Sequence, residues 1–396
     1  MLKKIVQAPL RYRLWSPVHL GLIAQSALKI DNKADPQHLP HLIAAIDWLC
    51  RAQDVRQGCA DEGGVSAGWS FEDGWLPSYP ETSGYIVETF LQAAEVLDRP
   101  NLVERARRIL DWELSLQHAD GAFPGHFGEP GSRPVIFNTG QIMHGLNHGH
   151  RQLQHQGCLD AAVRAGRWML AQQDEDGCWR RSVHNGIAHT YNTRAAWALL
   201  QTGLLAGEPA LIEGAKRNLA WALSQQNPAG WFANNAFTVD AVPFTHTIAY
   251  AIRGVLESGL LLEDTHLISA AERSAVAVAA ALPQNGALAG TLDDQWRPRA
   301  NYVCLTGLAQ MCIIWSRLIE RRANQTFQDA VDRGLDYLKR HQRRTGDGRF
   351  DDGAIAGSAP FWGDYSRFEF PNWAAKFFAD ALMLDNRLQG TGGKHG

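Results

Sequence analysis

The stretch Ala165-Gly-Arg-Trp-Met-Leu-Ala-Gln-Gln-Asp-Glu-Asp-Gly-Cys-Trp179 decides the fold, because the chain repeats it with variations. Each copy is an apolar helical segment that ends in Gln and runs into a short turn containing Gly. The other copies are Trp48-Leu-Cys-Arg-Ala-Gln53, Trp112-Glu-Leu-Ser-Leu-Gln117 before Asp120-Gly121, Trp221-Ala-Leu-Ser-Gln-Gln226 before Gly230-Trp231, and Tyr337-Leu-Lys-Arg-His-Gln342 before Asp347-Gly348. A fainter copy, Ala281-Leu-Pro-Gln284 before Gly286, fills the remaining gap. Recurrence at about 53 to 65 residues marks an array whose units cannot bury their apolar faces alone.

Between these phrases lie less polar helices, expected near 81–97, 138–153, 191–205, 244–262, 301–319 and 369–384. Ala195-Ala-Trp-Ala-Leu-Leu200 is apolar on most faces, the pattern of a helix buried all round. Their partners, near 37–53, 100–117, 156–173, 208–226, 263–282 and 323–342, alternate apolar with charged residues and keep one wet face. Six of each predict an all-α (α/α)6 toroid, an inner ring of helices inside an outer one. Residues 1–396 are read as one such domain, with an extra helix near 17–30.

The 396 residues are 45% hydrophobic and 20% charged, with a formal net charge of -3. No global field recruits nucleic acid or a membrane surface. No stretch reaches the roughly 18 apolar residues of a transmembrane span, and Pro9, Arg11 and Arg13 interrupt any apolar leader core. The six Cys form no CxxC pair, so a reducing, cytoplasmic setting is expected. The rim His residues show no HxxxH spacing and the Cys no paired spacing, and His144, His148 and His150 along one inner helix are read as packing and surface residues, so no metal and no other cofactor is expected.

The connections from inner to outer helix, such as Leu97-Asp-Arg-Pro100, are short. Those from outer to inner helix are long and rich in Trp, Tyr, His, Asn, Asp and Arg, and in a toroid they all emerge on one rim. Long polar loops on a rigid scaffold are where ligands bind. Trp69, Trp75, Trp296, Tyr302 and Trp362 offer faces that stack on sugar rings, with Asp240 and other polar groups between them. The densest cluster is His184, His189, Tyr191, Asn192 and Arg194. There His189 or Tyr191 would move a proton at the carbon beside a uronic-acid carboxyl, Asn192 and Arg194 would neutralise that carboxyl, and His246 would assist. The structural alternative is that Thr190 or Asn192 caps a helix and Arg194 reaches a neighbouring one.

The carboxylates Glu72, Asp73, Glu81, Glu129, Asp240, Asp293, Asp294, Asp364 and Glu369 form a second constellation. A glycoside hydrolase would need two of them facing each other, such as Glu72 or Glu81 opposite Asp293 or Asp364. Most would serve equally as acceptors for turn N–H groups.

The Trp168 to Trp179 phrase resembles the QW repeat of squalene/hopene cyclases and the helical repeats of protein prenyltransferase β subunits. That resemblance implies the toroid across nearly the whole chain. For isoprenoid chemistry it also implies Asp-x-Asp-Asp, Asp-Asp-x-x-Asp or an Asp/Cys/His zinc set, whereas this chain has Leu292-Asp293-Asp294-Gln295 and a Cys304 without an acidic neighbour. Trp69 to Thr82 and Thr245-His-Thr-Ile-Ala-Tyr250 are similar to VpsJ-like proteins of bacterial exopolysaccharide clusters. That likeness implies polysaccharide biosynthesis, an oligosaccharide, polysaccharide or glycan intermediate as ligand, and association with other exopolysaccharide proteins. The expectation is a lyase or epimerase acting on a uronic-acid glycan. A glycoside hydrolase, a non-catalytic glycan binder and an isoprenoid enzyme are the alternatives.

Overall fold

The computed structural model describes residues 10–28, 32, 34–129 and 132–392. A short helix α1 (Pro17–Ala27) precedes the rings; the end of the helix expected over 17–30 falls outside the described residues. The outer ring comprises α2 (Leu39–Asp54), α4 (Asn101–Leu116), α6 (Gln156–Gln172), α8 (Pro209–Ser224), α10 (Thr265–Ala281) and α12 (Gln325–His341). Inside it stand α3 (Pro80–Val96), α5 (Ile136–Leu153), α7 (Thr193–Ala206), α9 (Thr245–Leu262), α11 (Leu305–Arg321) and α13 (Asn372–Gly392). The fold is the expected (α/α)6 toroid, with boundaries within about four residues of those read from periodicity except at the end of the last helix, which runs to Gly392 where 384 was expected.

Local chemistry sets the helix ends. Proline occupies the first turn of α2, α3 and α8, where its missing N–H has no intrahelical partner to lose. Asp264 caps α10 by accepting from the N–H groups of His266 and Leu267. On the opposite side of each inner helix the turns are two to four residues long, as at Gly207-Glu208 and Glu263-Asp264.

The repeated Gln explains why the helices stay in register. Gln173 Nε2 donates to Gly177 O at 3.0 Å, closing its own turn, and to Gly214 O at 2.9 Å on the next outer helix. Gln53, Gln117 and Gln226 do the same toward Arg105, Ala161 and Ala270. The last copy, Gln342, donates to Gly353 O at 3.1 Å and back to His41 O at 3.0 Å on α2. The final unit therefore locks onto the first. Its turn partner is Gly353 rather than the expected Gly348, because the longer loop brings a later glycine beneath the Gln. At Gly177 (φ +85°) a Cβ would lie 2.4 Å from Arg217 O, and at Gly353 (φ +91°) 2.0 Å from Ala44 O. Both positions need glycine for backbone conformation and for close approach.

The inner ring closes where α13 meets α3: Tyr85 and Phe377 have ring centroids 5.4 Å apart, and Thr89 Oγ1 donates to Asp380 Oδ1 at 2.7 Å. One buried apolar cluster runs from Leu22 to Leu384.

The rim loops add five short strands that helical periodicity could not show. Strands β1 (Gly68–Ser70), β2 (Gly74–Trp75) and β5 (Glu369–Pro371) form a small antiparallel sheet in the order β2-β1-β5, with Trp69 opposite Phe370. Strands β3 (Val303–Cys304) and β4 (Ser358–Ala359) pair antiparallel. Neighbouring loops are also tied by Asn185 Nδ2 to Phe237 O (2.8 Å) and Thr245 N to Gly290 O (2.9 Å), so the six long connections share one rim. No helix among the described residues is long and apolar enough to cross a membrane.

Candidate functional site

A cavity of about 310 Å³ opens on that rim, at the mouth of the bore. It is built from the first turns of inner helices and the loops that lead into them. The start of α3 supplies Tyr79, Glu81 and Tyr85, and the start of α5 supplies Phe137 and Asn138. His246 and Tyr250, one turn apart on α9, face inward together. Loops contribute His184, Tyr191, Phe237, Phe244, Asp364 and Tyr365, and Trp373 closes the ring from α13.

Glu81 is the chemically distinctive group. Pro80 begins the helix and fixes the direction of the chain, so the next side chain enters the cavity rather than solvent. Burial among aromatic rings raises the Glu81 pKa to about 7, opposed by a hydrogen bond from Tyr79 and the charge of Arg194. Tyr79 Oη donates to Glu81 Oε2 at 2.8 Å. A carboxyl poised near neutrality can deliver a proton and take one back.

His246 has the opposite character. Burial and the nearby Arg194 charge lower its pKa to about 3, and its Nδ1 lies 2.7 Å from Gln310 Nε2. It is therefore neutral at ordinary pH. The buried Asn138 Nδ2 makes no well-formed hydrogen bond among the described residues and lies beside the Tyr79 hydroxyl, facing the same cavity.

Of the residues expected from sequence, the cavity gathers Glu81, His184, Tyr191, His246 and Asp364. The others are placed elsewhere. His189 is 1% exposed, donates from Nε2 to His184 O (2.8 Å), and stacks behind Tyr191 at 4.4 Å. It positions Tyr191 and does not face the cavity. Asn192 is buried at the start of α7, and its side chain makes no capping bond. Arg194 lies below the cavity floor, 1% exposed, with Nε donating to Gln141 Oε1 at 2.7 Å. Four rings, Tyr85, Trp197, Tyr250 and Phe377, surround its guanidinium at 5.2 to 5.8 Å. Its reach to a neighbouring helix is the structural alternative weighed from the sequence.

The expected sugar-stacking residues are largely packing residues. Trp69 is 8% exposed and stacks on Phe350 at 3.7 Å, while Trp75 packs against Trp48 at 5.5 Å. Trp296 uses its indole N–H to hold Ala229 O at 2.9 Å in the neighbouring loop. Tyr302 and Trp362 border a different cavity, beneath α1. Among the carboxylates, Glu72 is paired with Arg11 at 2.6 Å outside the cavity, and Asp240 is exposed at a loop tip. Glu369 sits on β5; burial, with Asp73 and Glu72 nearby, raises its pKa to about 7 away from the mouth. Asp293 organises its own loop: it accepts from the backbone N–H groups of Gln295 and Arg297 and from the side chains of Arg297 and Arg299. Partial burial would raise its pKa, but those partners outweigh it and hold it at about 2.

Sequence reasoning did not single out Tyr79, Tyr85, Phe137, Asn138, Phe237, Phe244, Tyr250, Tyr365 and Trp373. A usable signal existed: Tyr79 stands two residues before Glu81, and Tyr250 stands one helical turn after His246. No group of three or more His, Cys, Asp or Glu among the described residues is placed to hold a metal ion.

The fold and this site together define a helical toroid with an aromatic pocket that holds a carboxyl near neutrality. The family model of the squalene-hopene cyclase C-terminal domain matches residues 83–256. No curated protein matches the chain in sequence. Among solved structures, an unsaturated glucuronyl hydrolase specific for heparin superposes with a TM-score of 0.70 at 15% identity, covering 89% of this chain and 97% of that one. The unsaturated glucuronyl hydrolase responsible for glycosaminoglycan degradation in Bacillus sp. GL1 gives 0.66 at 16% identity, with 87% and 97% covered. A mutant of the Streptococcus agalactiae enzyme, complexed with dGlcA-GalNAc6S, gives 0.67 at 10% identity, with 88% and 91% covered. At these identities the likeness is one of fold.

Proposed function

We propose that this protein is a glycoside hydrolase that removes a terminal uronic-acid sugar from a glycan. The observation that carries the proposal is Glu81, a carboxyl held near neutrality in an aromatic cavity at the rim. A cavity of about 310 Å³, at the small end of the roughly 300–1,000 Å³ range of ligand pockets, suits a chain end better than a chain interior. Tyrosine and tryptophan faces would stack on the sugar, with Asn138 and His184 taking hydroxyls. Glu81 would protonate the leaving oxygen as the glycosidic bond breaks. Water would add to the anomeric carbon, its proton leaving through Asp364, the second carboxylate on the lining.

The same geometry disfavours the lyase or epimerase route expected from sequence. Removing a proton beside a carboxylate builds negative charge that needs a cation in contact. No Lys or Arg lines the cavity among the described residues, and Arg194 lies beneath its floor. Arg194 can still favour an anionic sugar through its field. The hydrolase neighbours, named for unsaturated glucuronyl substrates, support this reading, and the VpsJ-like resemblance suggests bacterial exopolysaccharide as the source of the glycan.

A second reading draws on the squalene-hopene cyclase match and the ring-lined cavity: an isoprenoid enzyme in which Glu81 protonates an alkene. Product analysis distinguishes them. Incubation with unsaturated glucuronyl oligosaccharides should release the terminal sugar with gain of one water. A newly unsaturated product from a saturated uronide would identify a lyase, and turnover of a polyprenyl substrate alone would identify the isoprenoid route.

A further inference from the structure

The bore continues below the rim cavity. Beyond the layer formed by Tyr85, Phe377 and the caged Arg194, a second chamber of about 410 Å³ opens at the end of the toroid that carries the short turns. Every inner helix contributes to it, including Glu88 from α3, His148 from α5, Arg253 and Glu257 from α9, Arg317 from α11 and Asp380 from α13. Its lining is charged where the upper cavity is aromatic.

The carboxylates there already have partners. Asp380 accepts from Thr89 at 2.7 Å and is paired with Lys376. Glu257 takes Arg317 Nε at 3.2 Å. Glu88 accepts from Gln92 Nε2 at 3.1 Å and faces His148 Nε2 at 3.6 Å. Arg253 is different. It is 5% exposed, and neither its Nε nor its Nη1 makes a hydrogen bond among the described residues. Its ion-pair contact, Glu257 Oε1, is 3.6 Å away and already engaged by Arg317; the remaining contact is the face of Trp197 at 5.5 Å.

A buried guanidinium with two nitrogens lacking hydrogen-bond acceptors is costly, and an anion reaching them would recover that cost. The surrounding charge does not oppose it. Arg194, Arg253, Arg317 and Lys376 are matched by Glu88, Glu257, Asp380 and the Glu320 paired with Arg317, and burial lowers the His148 pKa. Arg151 adds a further cation at the exposed lip.

We propose that this lower chamber is an oxyanion-binding site, in which Arg253 takes the oxygens of a phosphate or carboxylate group that enters from the short-turn end. The site is independent of the hydrolase reading, because it shares no lining residue with the Glu81 cavity.

The test is thermal unfolding of the full chain at constant ionic strength, titrated with inorganic phosphate in one arm and malonate in the other. A saturable rise in Tm with either anion is expected, and the more effective one identifies the class of group bound. R253Q should weaken the apparent affinity at least tenfold, and E81Q should leave it unchanged. The proposal is overturned if neither anion shifts the wild type, or if R253Q responds as the wild type does. Should R253Q fail to fold, selenate-soaked crystals of the wild type decide. An ordered anion within hydrogen-bond distance of Arg253 supports the site, and water alone there overturns it.

Discussion

Glu81 links activity and stability through one proton. Its pKa of about 7 in the folded chain stands above the ~4.3 of an unfolded glutamate. The folded state therefore binds more protons between those values, and stability falls as pH rises through that window. Replacing the carboxyl by the neutral Glu81→Gln should raise Tm relative to wild type above pH 7, with the gap closing toward pH 4, while abolishing turnover. Tyr79→Phe removes a hydrogen bond that favours the ionised form, so the alkaline limb of the activity profile should move to higher pH. Glu113 gives a control unrelated to function. It is 1% exposed, neither carboxyl oxygen has a hydrogen-bond partner among the described residues, and burial holds its pKa well above the usual range. Glu113→Met should stabilise the chain by about 1–3 kcal/mol at neutral pH, measured by denaturant unfolding. At this scale the sequence was least legible. Glu81 was one of nine rim carboxylates, and nothing in its neighbours' identities shows that Asp293 is consumed by its own loop while Glu81 points into a cavity. The dense His184 to Arg194 run drew attention because its groups are close in sequence. Their distance from the bore axis, which puts His189 behind Tyr191 and Arg194 under the floor, has no sequence signature.

The Gln-Gly unit works as a joint between successive outer helices. Gln173→Ala would leave Gly177 O and Gly214 O without their shared donor and should cost about 1–3 kcal/mol in equilibrium unfolding. Gly177→Ala should cost at least as much, since a Cβ both strains a positive φ and meets Arg217 O at 2.4 Å. Neither change touches the rim cavity, so KM for a confirmed substrate should stay within about twofold of wild type, a split that a residue in the pocket would not give. Helices were readable because their apolar periodicity persists over sixteen or so residues and proline or glycine marks their ends. The rim strands were not, since β1 to β5 are two or three residues long and exist through pairing between distant loops, as Trp69 with Phe370 shows.

Closure of the ring makes the pocket. Glu81 belongs to the first inner helix, His246 to the fourth, and Asp364 and Tyr365 to the loop before the last, so they meet only because α13 packs against α3 and Gln342 reaches His41. Gln342→Ala, which breaks the joint between the two ends of the chain, should therefore lower stability and kcat/KM together, whereas Gln173→Ala acts on stability. The count of repeats made closure readable in advance, and the unequal loops pointed to the rim where the aromatic cavity opens, while the chamber at the short-turn end had no such signal. Which loop residues enter it depends on packing between units some 50 or more residues apart, beyond the reach of local pattern. The most direct test of the account is the pH dependence of kcat/KM for release of the terminal sugar from an unsaturated glucuronyl oligosaccharide, compared among wild type, Glu81→Gln and the peripheral Glu72→Gln. The account predicts a wild-type rate that falls as pH rises through about 7, the same limb in Glu72→Gln, and loss of at least a hundredfold in Glu81→Gln. Equal rates in wild type and Glu81→Gln would contradict it.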